Sequence, residues 1–161
     1  MIELIIIMET RSSSKSDWMY IKSTIDYYYK PRSCSLKKIF AKTKTELIKQ
    51  DTKINNQISN TQRTSKVIIC ADYDRDEEIN SIIEKYCIDN SYDLVWMNLD
   101  VEDVYLGRQV SKNNKTKEAI SFQKMSDKLL PKLQNLSIND PLSSKHSSNL
   151  LIILDKYIER K

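Results

Sequence analysis

Val67-Ile68-Ile69-Cys70-Ala71-Asp72-Tyr73-Asp74-Arg75-Asp76-Glu77 is the stretch on which the fold turns. Five small or apolar residues run without a break and stop in a cluster of acids. The run is too short for a helix and rich in β-branched side chains, which predicts a strand buried on both faces. Residues 76–88 then read as helical, with Ile79, Ile82, Ile83, Tyr86 and Cys87 on one stripe. Asp72 and Asp74 therefore stand where a buried strand hands over to a helix, and in open α/β sheets ligands bind outside that carboxyl end. Strand side chains alternate, so residues two apart point to the same side. Like charges so placed are costly unless a proton or a cation lies between them. An all-oxygen site of this kind suits a hard divalent cation, Mg²⁺ or Mn²⁺.

Capping explains part of the cluster without any ligand. Asp74 and Glu77 fit a D-x-x-E capping box, and Asp76, Glu77 and Glu78 in the first turn suit the helix dipole. Asp72 lies too early to cap this helix, and an acid ending a buried strand has no cheap structural purpose.

The 161 residues fit one domain with room for a core. The net charge of +4 is unevenly spread. Arg11 to Lys66 carries 13 Lys/Arg against four acids, Asp72 to Asp103 carries 11 acids against two basic residues, and Val104 to Lys161 carries 11 basic residues against five acids. An acidic centre between basic flanks suits a metal-dependent enzyme acting on a polyanion, although soluble proteins also show such patterns by chance. The cysteines Cys34, Cys70 and Cys87 are scattered and odd in number, and two sit in apolar patterns, as reduced core residues of a cytosolic protein do. One histidine and no C-x-x-C pair leave a zinc site almost without ligands. The opening Met1 to Met8 lacks a basic start, carries Glu3 and is too short to span a membrane, so neither a signal peptide nor a membrane segment is expected. The single glycine, Gly107, excludes a Walker loop, a G-x-G-x-x-G turn and a G-x-S-x-G elbow.

Leu4–Met8 reads as a second buried strand, and it too ends in an acid, Glu9. Ser16 or Asp17 can cap a helix through Tyr29, with Trp18, Ile21, Ile25 and Tyr28 on one stripe and Pro31 as its stop. Leu36–Ala41 is a further strand candidate, and residues 46–62 a polar surface helix. Asp93–Asn98 is a fourth strand, again running into acids at Asp100, Glu102 and Asp103. Val101–Leu106 forms one turn closed by Gly107. Residues 112–117 are a basic loop, 116–130 a helix ended by Pro131, and 132–148 polar and irregular. Leu150, Leu151, Leu154, Tyr157 and Ile158 make a last helix capped by Ser147 or Ser148. His146, among serines, reads as a surface residue without a triad. Alternating strands and helices imply a mostly parallel sheet with helices on both faces. Parallel strands would gather Glu9, Asp72, Asp74 and the Asp100-Glu102-Asp103 group along one rim. Carboxylates there could hold one or two metals.

A glutamate ending the first strand, in Ile5-Ile6-Ile7-Met8-Glu9, and an Asp-x-Asp ending a later central strand, in Ile68-Ile69-Cys70-Ala71-Asp72-Tyr73-Asp74, resemble the Toprim domain. That domain occurs in topoisomerases, bacterial primases and the overcoming-lysogenization-defect (OLD) nucleases. The size of the chain and its Asp74-Arg75-Asp76-Glu77 run look more like the small RloB-like Toprim proteins of bacterial defence operons. The similarity covers about residues 1–110, with 111–161 as a C-terminal helical extension of a single domain. Thr10 stands where the family usually has glycine.

The resemblance implies a Rossmannoid α/β fold built on a mostly parallel four-stranded sheet. It implies Glu9 as general acid/base or shared metal ligand, Asp72 and Asp74 as ligands of Mg²⁺ or Mn²⁺, and assistance from Asp76, Glu77 or Glu102. Arg11, Lys15 and Lys112 would contact substrate phosphates, with plain solvated side chains as the alternative. Topoisomerase and primase activities draw on further domains, which leaves a Mg²⁺-dependent nuclease. The expected setting is cytoplasmic anti-phage defence, with nucleic acid as substrate, a separate ATPase as partner, a homo-oligomer admissible and no membrane. Two readings stand beside this one: a catalytically degenerate Toprim-like module that binds nucleic acid or a protein, and a DxD metal-dependent phosphatase. Haloacid-dehalogenase phosphatases carry their Asp-x-Asp on the first strand, followed by Thr or Val, where this chain has Asp76. A response-regulator receiver pairs acids after its first strand, where this chain has only Glu9.

Overall fold

A computed structural model describes residues 1–161. The strands β1 (Ile2–Glu9), β2 (Cys34–Ala41), β3 (Ser65–Tyr73) and β4 (Asp93–Asn98) form one sheet in the order β2-β1-β3-β4, parallel throughout. Helix α1 (Ser16–Tyr28) follows β1, α2 (Asp51–Ser59) follows β2, and α3 (Glu77–Asn90) follows β3. After β4 come α4 (Val101–Leu106), α5 (Lys115–Lys124), α6 (Ser126–Leu129) and α7 (Leu150–Leu154).

The alternation of strand side chains sorts the core into two layers. Leu4, Ile6, Met8, Ile68, Cys70, Val95 and Met97 face α1, α4, α5 and α7. Ile5, Ile7, Val67, Ile69, Ala71 and Trp96 face α2 and α3, where Ile54, Ile83 and Cys87 meet them. Burial on both faces is why the central strands read as unbroken apolar runs. Each fully buried isoleucine contributes about 1.5–3 kcal/mol over leaving it in water. Cys34, Cys70 and Cys87 are all free thiols. No helix is long and apolar enough to cross a membrane.

Several elements differ from their sequence-based expectation. The stripe of α1 is centred on Tyr20, Ile21 and Ile25, while Trp18 and Tyr28 are only half-buried. Neither Ser16 nor Asp17 caps α1; Lys15 precedes it in the left-handed region, at φ 52°. The stretch expected as one helix over residues 46–62 is a 3-10 turn (Lys44–Ile48) and the shorter α2, because Leu47 and Ile54 both turn inward from separate segments. The helix expected over 116–130 breaks at Met125, well before Pro131, which opens a 3-10 turn of its own. The last helix stops at Leu154, and Ser148 Oγ accepts a hydrogen bond from the Leu150 amide at 3.1 Å. The turn after β4 is as expected: Gly107 sits at φ 68° and its amide donates to the Asp103 carbonyl at 2.9 Å.

Residues 111–161 share the main core. Phe122, Leu130, Leu136, Leu150 and Leu154 pack in the same cluster as Leu4 and Ile6. The irregular stretch before α7 also straps the outer edge of β4. The Asn98 amide donates to the Ser147 carbonyl at 2.9 Å. The Trp96 amide donates to Asn149 Oδ1 at 2.9 Å, and Asn149 Nδ2 donates to the Leu94 carbonyl at 3.1 Å. At the other edge, β2 pairs with β1 alone and exposes Lys37 and Lys38.

Candidate functional site

Parallel strands put every strand end on one rim, and the loop from β1 to α1 folds over it. The result is an open cavity of about 510 Å³ without a single hydrophobic lining residue. Its acids are Glu9 from the end of β1, Asp72 from the end of β3 and Asp17 from the first turn of α1. Its cations are Arg11, Lys42, Lys112 and Lys115, and its hydroxyls come from Thr10, Ser13, Ser14, Ser16 and Thr116.

Glu9 and Asp72 thus line the same cavity, together with Arg11 and Lys112. Lys15 does not line it; its amide closes the turn by donating to the Arg11 carbonyl at 2.9 Å. Glu102 lies behind the wall, fully buried on α4, and accepts from Lys115 Nζ through Oε2 at 3.2 Å.

Asp74 does not join Asp72. Its position two residues on matters only while the strand persists, and β3 ends at Tyr73. Beyond it the chain turns, and Asp74 Oδ1 takes Lys44 Nζ at 2.8 Å and the Asp76 amide at 3.0 Å. Lys44 also bonds Asn80 and lies 5.9 Å from the centre of the Trp96 ring. Burial works to raise the Asp74 carboxyl, but Lys44 and the Asp76 amide outweigh it and hold its pKa below the ordinary value. The α3 cap is Asp76, whose Oδ1 accepts from the Ile79 amide at 3.2 Å. The cap therefore stands two residues later than the D-x-x-E pattern places it, and with Ile79 at the third helical position there is no reciprocal capping box. Glu77 is exposed in the first turn of α3.

The company of Asp72 is instead Asp17, Asp100, Glu9 and Glu102. Burial, followed by these four negative charges, drives its carboxyl well above the ordinary pKa. Burial and then Glu102 push Asp17 up to about 7. Glu9 is raised by burial, against the pull of Lys44 and Lys115. Burial opposes the charge on Lys115, but Glu102, Asp100 and Asp17 hold its pKa up. Asp100 caps α4, accepting from the Asp103 amide at 2.8 Å. Asp103 Oδ2 in turn accepts from His146 Nδ1 at 2.9 Å, so this histidine is anchored rather than free.

Whether a hard divalent cation suits this rim can be judged from the donors. Asp72, Asp17 and Glu9 offer only carboxylate oxygens; burial raises the pKa of all three, neighbouring acids raise Asp72 and Asp17 further, and Glu102 Oε1 is buried with no hydrogen-bond partner. The chemistry fits an added positive charge. The spacing does not yet gather a full ligand set, for no three Asp, Glu, His or Cys side chains stand close enough to hold an ion between them. Glu9, Asp72 and Asp74 could share one only if Asp74 left Lys44.

Thr10 is buried, and its Oγ1 has no hydrogen-bond partner. Its φ is not positive, so the backbone here makes no demand that only glycine meets. Asp17, Lys42 and Lys115 escaped the sequence reading. The signal for Asp17 was available: a helix that starts soon after a parallel strand begins at the same rim. No protein-family model, curated protein or solved structure matches this chain.

Proposed function

We propose that this chain is a Toprim-type, divalent-metal-dependent nuclease. The observation that carries the reading is the wholly polar cavity in which Glu9 and Asp72 face Arg11, Lys42, Lys112 and Lys115. A Mg²⁺ or Mn²⁺ ion held by Asp72 with Glu9 or Asp17 would neutralise phosphate charge and polarise the phosphodiester. The chain supplies the rest. Glu9, whose pKa burial raises above the ordinary carboxyl value, would accept a proton from the attacking water. Arg11, Lys42 and Lys112 hold the phosphates on either side of the scissile bond. Lys115, kept charged by Glu102, faces the charge that develops there. An effector role in anti-phage defence beside a separate ATPase rests on the family resemblance alone.

Purified protein is expected to cut DNA or RNA in Mg²⁺ or Mn²⁺ and to stop in EDTA. Glu9→Gln and Asp72→Asn are each expected to lose cleavage while still binding substrate. Full activity in both variants, or cleavage without divalent metal, would sink the mechanism. One observation favours a second reading, a Toprim-like module that binds nucleic acid without cutting it: Asp74 is committed to Lys44 and no three acids converge. Binding without cleavage in every metal and with every ATPase tried would select it.

A further inference from the structure

The β2 edge of the sheet carries cations that nothing in the chain neutralises. Lys44, Lys85, Lys115 and Lys156 each have a carboxylate partner. Lys37, Lys38, Lys42 and Lys53 are in none of the chain's ion pairs, as is true of other surface lysines such as Lys124 and Lys128; the aromatic rings and the groove beside them set this edge apart. Lys38 Nζ lies 5.2 Å from the ring centre of Trp18 and 5.9 Å from that of Phe40, so one cation sits beside two aromatic faces. Both rings are half-buried and keep part of their surface in solvent. Beside them runs a groove of about 350 Å³, with Lys38 and Phe40 on one wall, Lys53, Asn56 and Gln57 of α2 on the other, and Ser12 at its end. Ser12 belongs to the loop whose neighbours Arg11, Ser13 and Ser14 line the cavity at the rim. The groove and the cavity thus both reach that loop.

We infer that this edge is a track for single-stranded nucleic acid, which leads the strand past Trp18 and Phe40 and over the β1–α1 loop into the cavity. Unpaired lysines spaced along a groove follow a phosphate backbone, and exposed aromatic faces beside them stack unpaired bases. A duplex keeps its bases stacked inside, so the two rings would gain nothing from one. Edge-strand lysines also guard against strand-to-strand pairing, and that purpose accounts for Lys37 and Lys38. It does not account for Lys53, Asn56 and Gln57 on a helix, or for the continuation through Arg11 and Lys42. The inference rests on nucleic acid being the substrate, and it concerns binding alone.

The test is a gel-shift titration in EDTA with oligothymidine and oligouridine of about 20 nucleotides, a length ample for one such track. The wild type is expected to bind at least one of them. Lys38→Glu/Lys53→Glu is expected to bind roughly tenfold more weakly, with a flatter dependence of affinity on salt, since each lost phosphate contact removes about 0.7 from the log–log slope. Trp18→Ala is expected to weaken binding and Trp18→Phe to restore it. Lys124→Glu/Lys128→Glu, on exposed positions of α5 and α6, should stay within about twofold of wild type at matched salt. Circular dichroism on each variant separates lost contacts from lost fold. Unchanged binding in the folded Lys38→Glu/Lys53→Glu variant, or tighter binding of a duplex of equal length, overturns the track. So does a change of molecular mass in light scattering, which would mark the edge as a contact between copies of the chain. Edge-dependent binding without cleavage in metal keeps the track and removes the nuclease reading. Cleavage that the edge variants leave intact does the reverse.

Discussion

Asp72 and Asp74 stand two residues apart and differ in everything that decides what a carboxylate does. Asp74 has a lysine and an amide to satisfy it; Asp72 faces other acids. One backbone turn after Tyr73 makes the difference, and sequence periodicity cannot locate such a turn, because it assumes that the strand continues. That Glu9 and Asp72 share a rim was legible, since a parallel sheet sends its strand ends to one side, whereas Arg11 and Lys112 were named from the family resemblance alone. Asp17 was signalled only by its place in the first turn of the helix after β1, and Lys115 not at all, because a basic loop does not say which way its lysines point. The crowding of Asp17 and Asp72 has a measurable consequence. Both hold their protons more tightly in the folded chain than in the unfolded one, where a carboxyl titrates near 4. Their contribution to stability is therefore complete below that pH and is lost as pH rises through about 7 for Asp17. In EDTA, thermal stability is expected to fall between pH 4 and pH 8 by way of these groups. Asp17→Asn should flatten that fall and melt above wild type at pH 8. A wild-type-like slope in Asp17→Asn would show that the carboxyl is not crowded.

At the scale of elements, the two sheet edges are treated differently. The strap before α7 bonds along β4, and Asn149 holds two of its backbone groups. Asn149→Ala leaves the Trp96 amide and the Leu94 carbonyl without those partners. A cost of about 1–3 kcal/mol is expected, with the Trp96 amide losing protection from hydrogen exchange. Protection equal to wild type would mean that the strap is incidental. The strands were readable because burial on both faces writes an unbroken apolar run, as in Ile68, Ile69 and Cys70. The strap was not, because a polar, irregular segment that satisfies an edge through backbone and Asn contacts has no periodicity. The same holds for the break at Met125, where the apolar pattern continues although the helix does not.

For the whole molecule, the fold gathers negative charge at the rim and leaves positive charge along the loops and the β2 edge. Folding therefore holds the acids close together at a cost, which a bound cation would offset. A divalent ion at 100 times its dissociation constant would add about 2.7 kcal/mol of stability. For a chain of this size that is a rise in melting temperature of roughly 5–10 °C. Mg²⁺ or Mn²⁺ is expected to raise the wild type in this way and to leave Asp72→Asn unmoved. Equal rises in both would place the ion elsewhere.

Lys44 gives the chain an indicator of its own. It is held by Asp74 and Asn80 beside the ring of Trp96, which also meets Tyr73 edge-on at 5.1 Å between ring centres. Indole emission responds to a positive charge moving near the ring. An event that draws Asp74 away from Lys44 toward Asp72 would move that charge and change the light from Trp96. The other tryptophan, Trp18, stands at the β2 edge. Each of the two tryptophans therefore watches a different surface, so the emission of Trp18→Phe and Trp96→Phe variants would distinguish an ion arriving at the rim from a strand arriving at the edge without any added label.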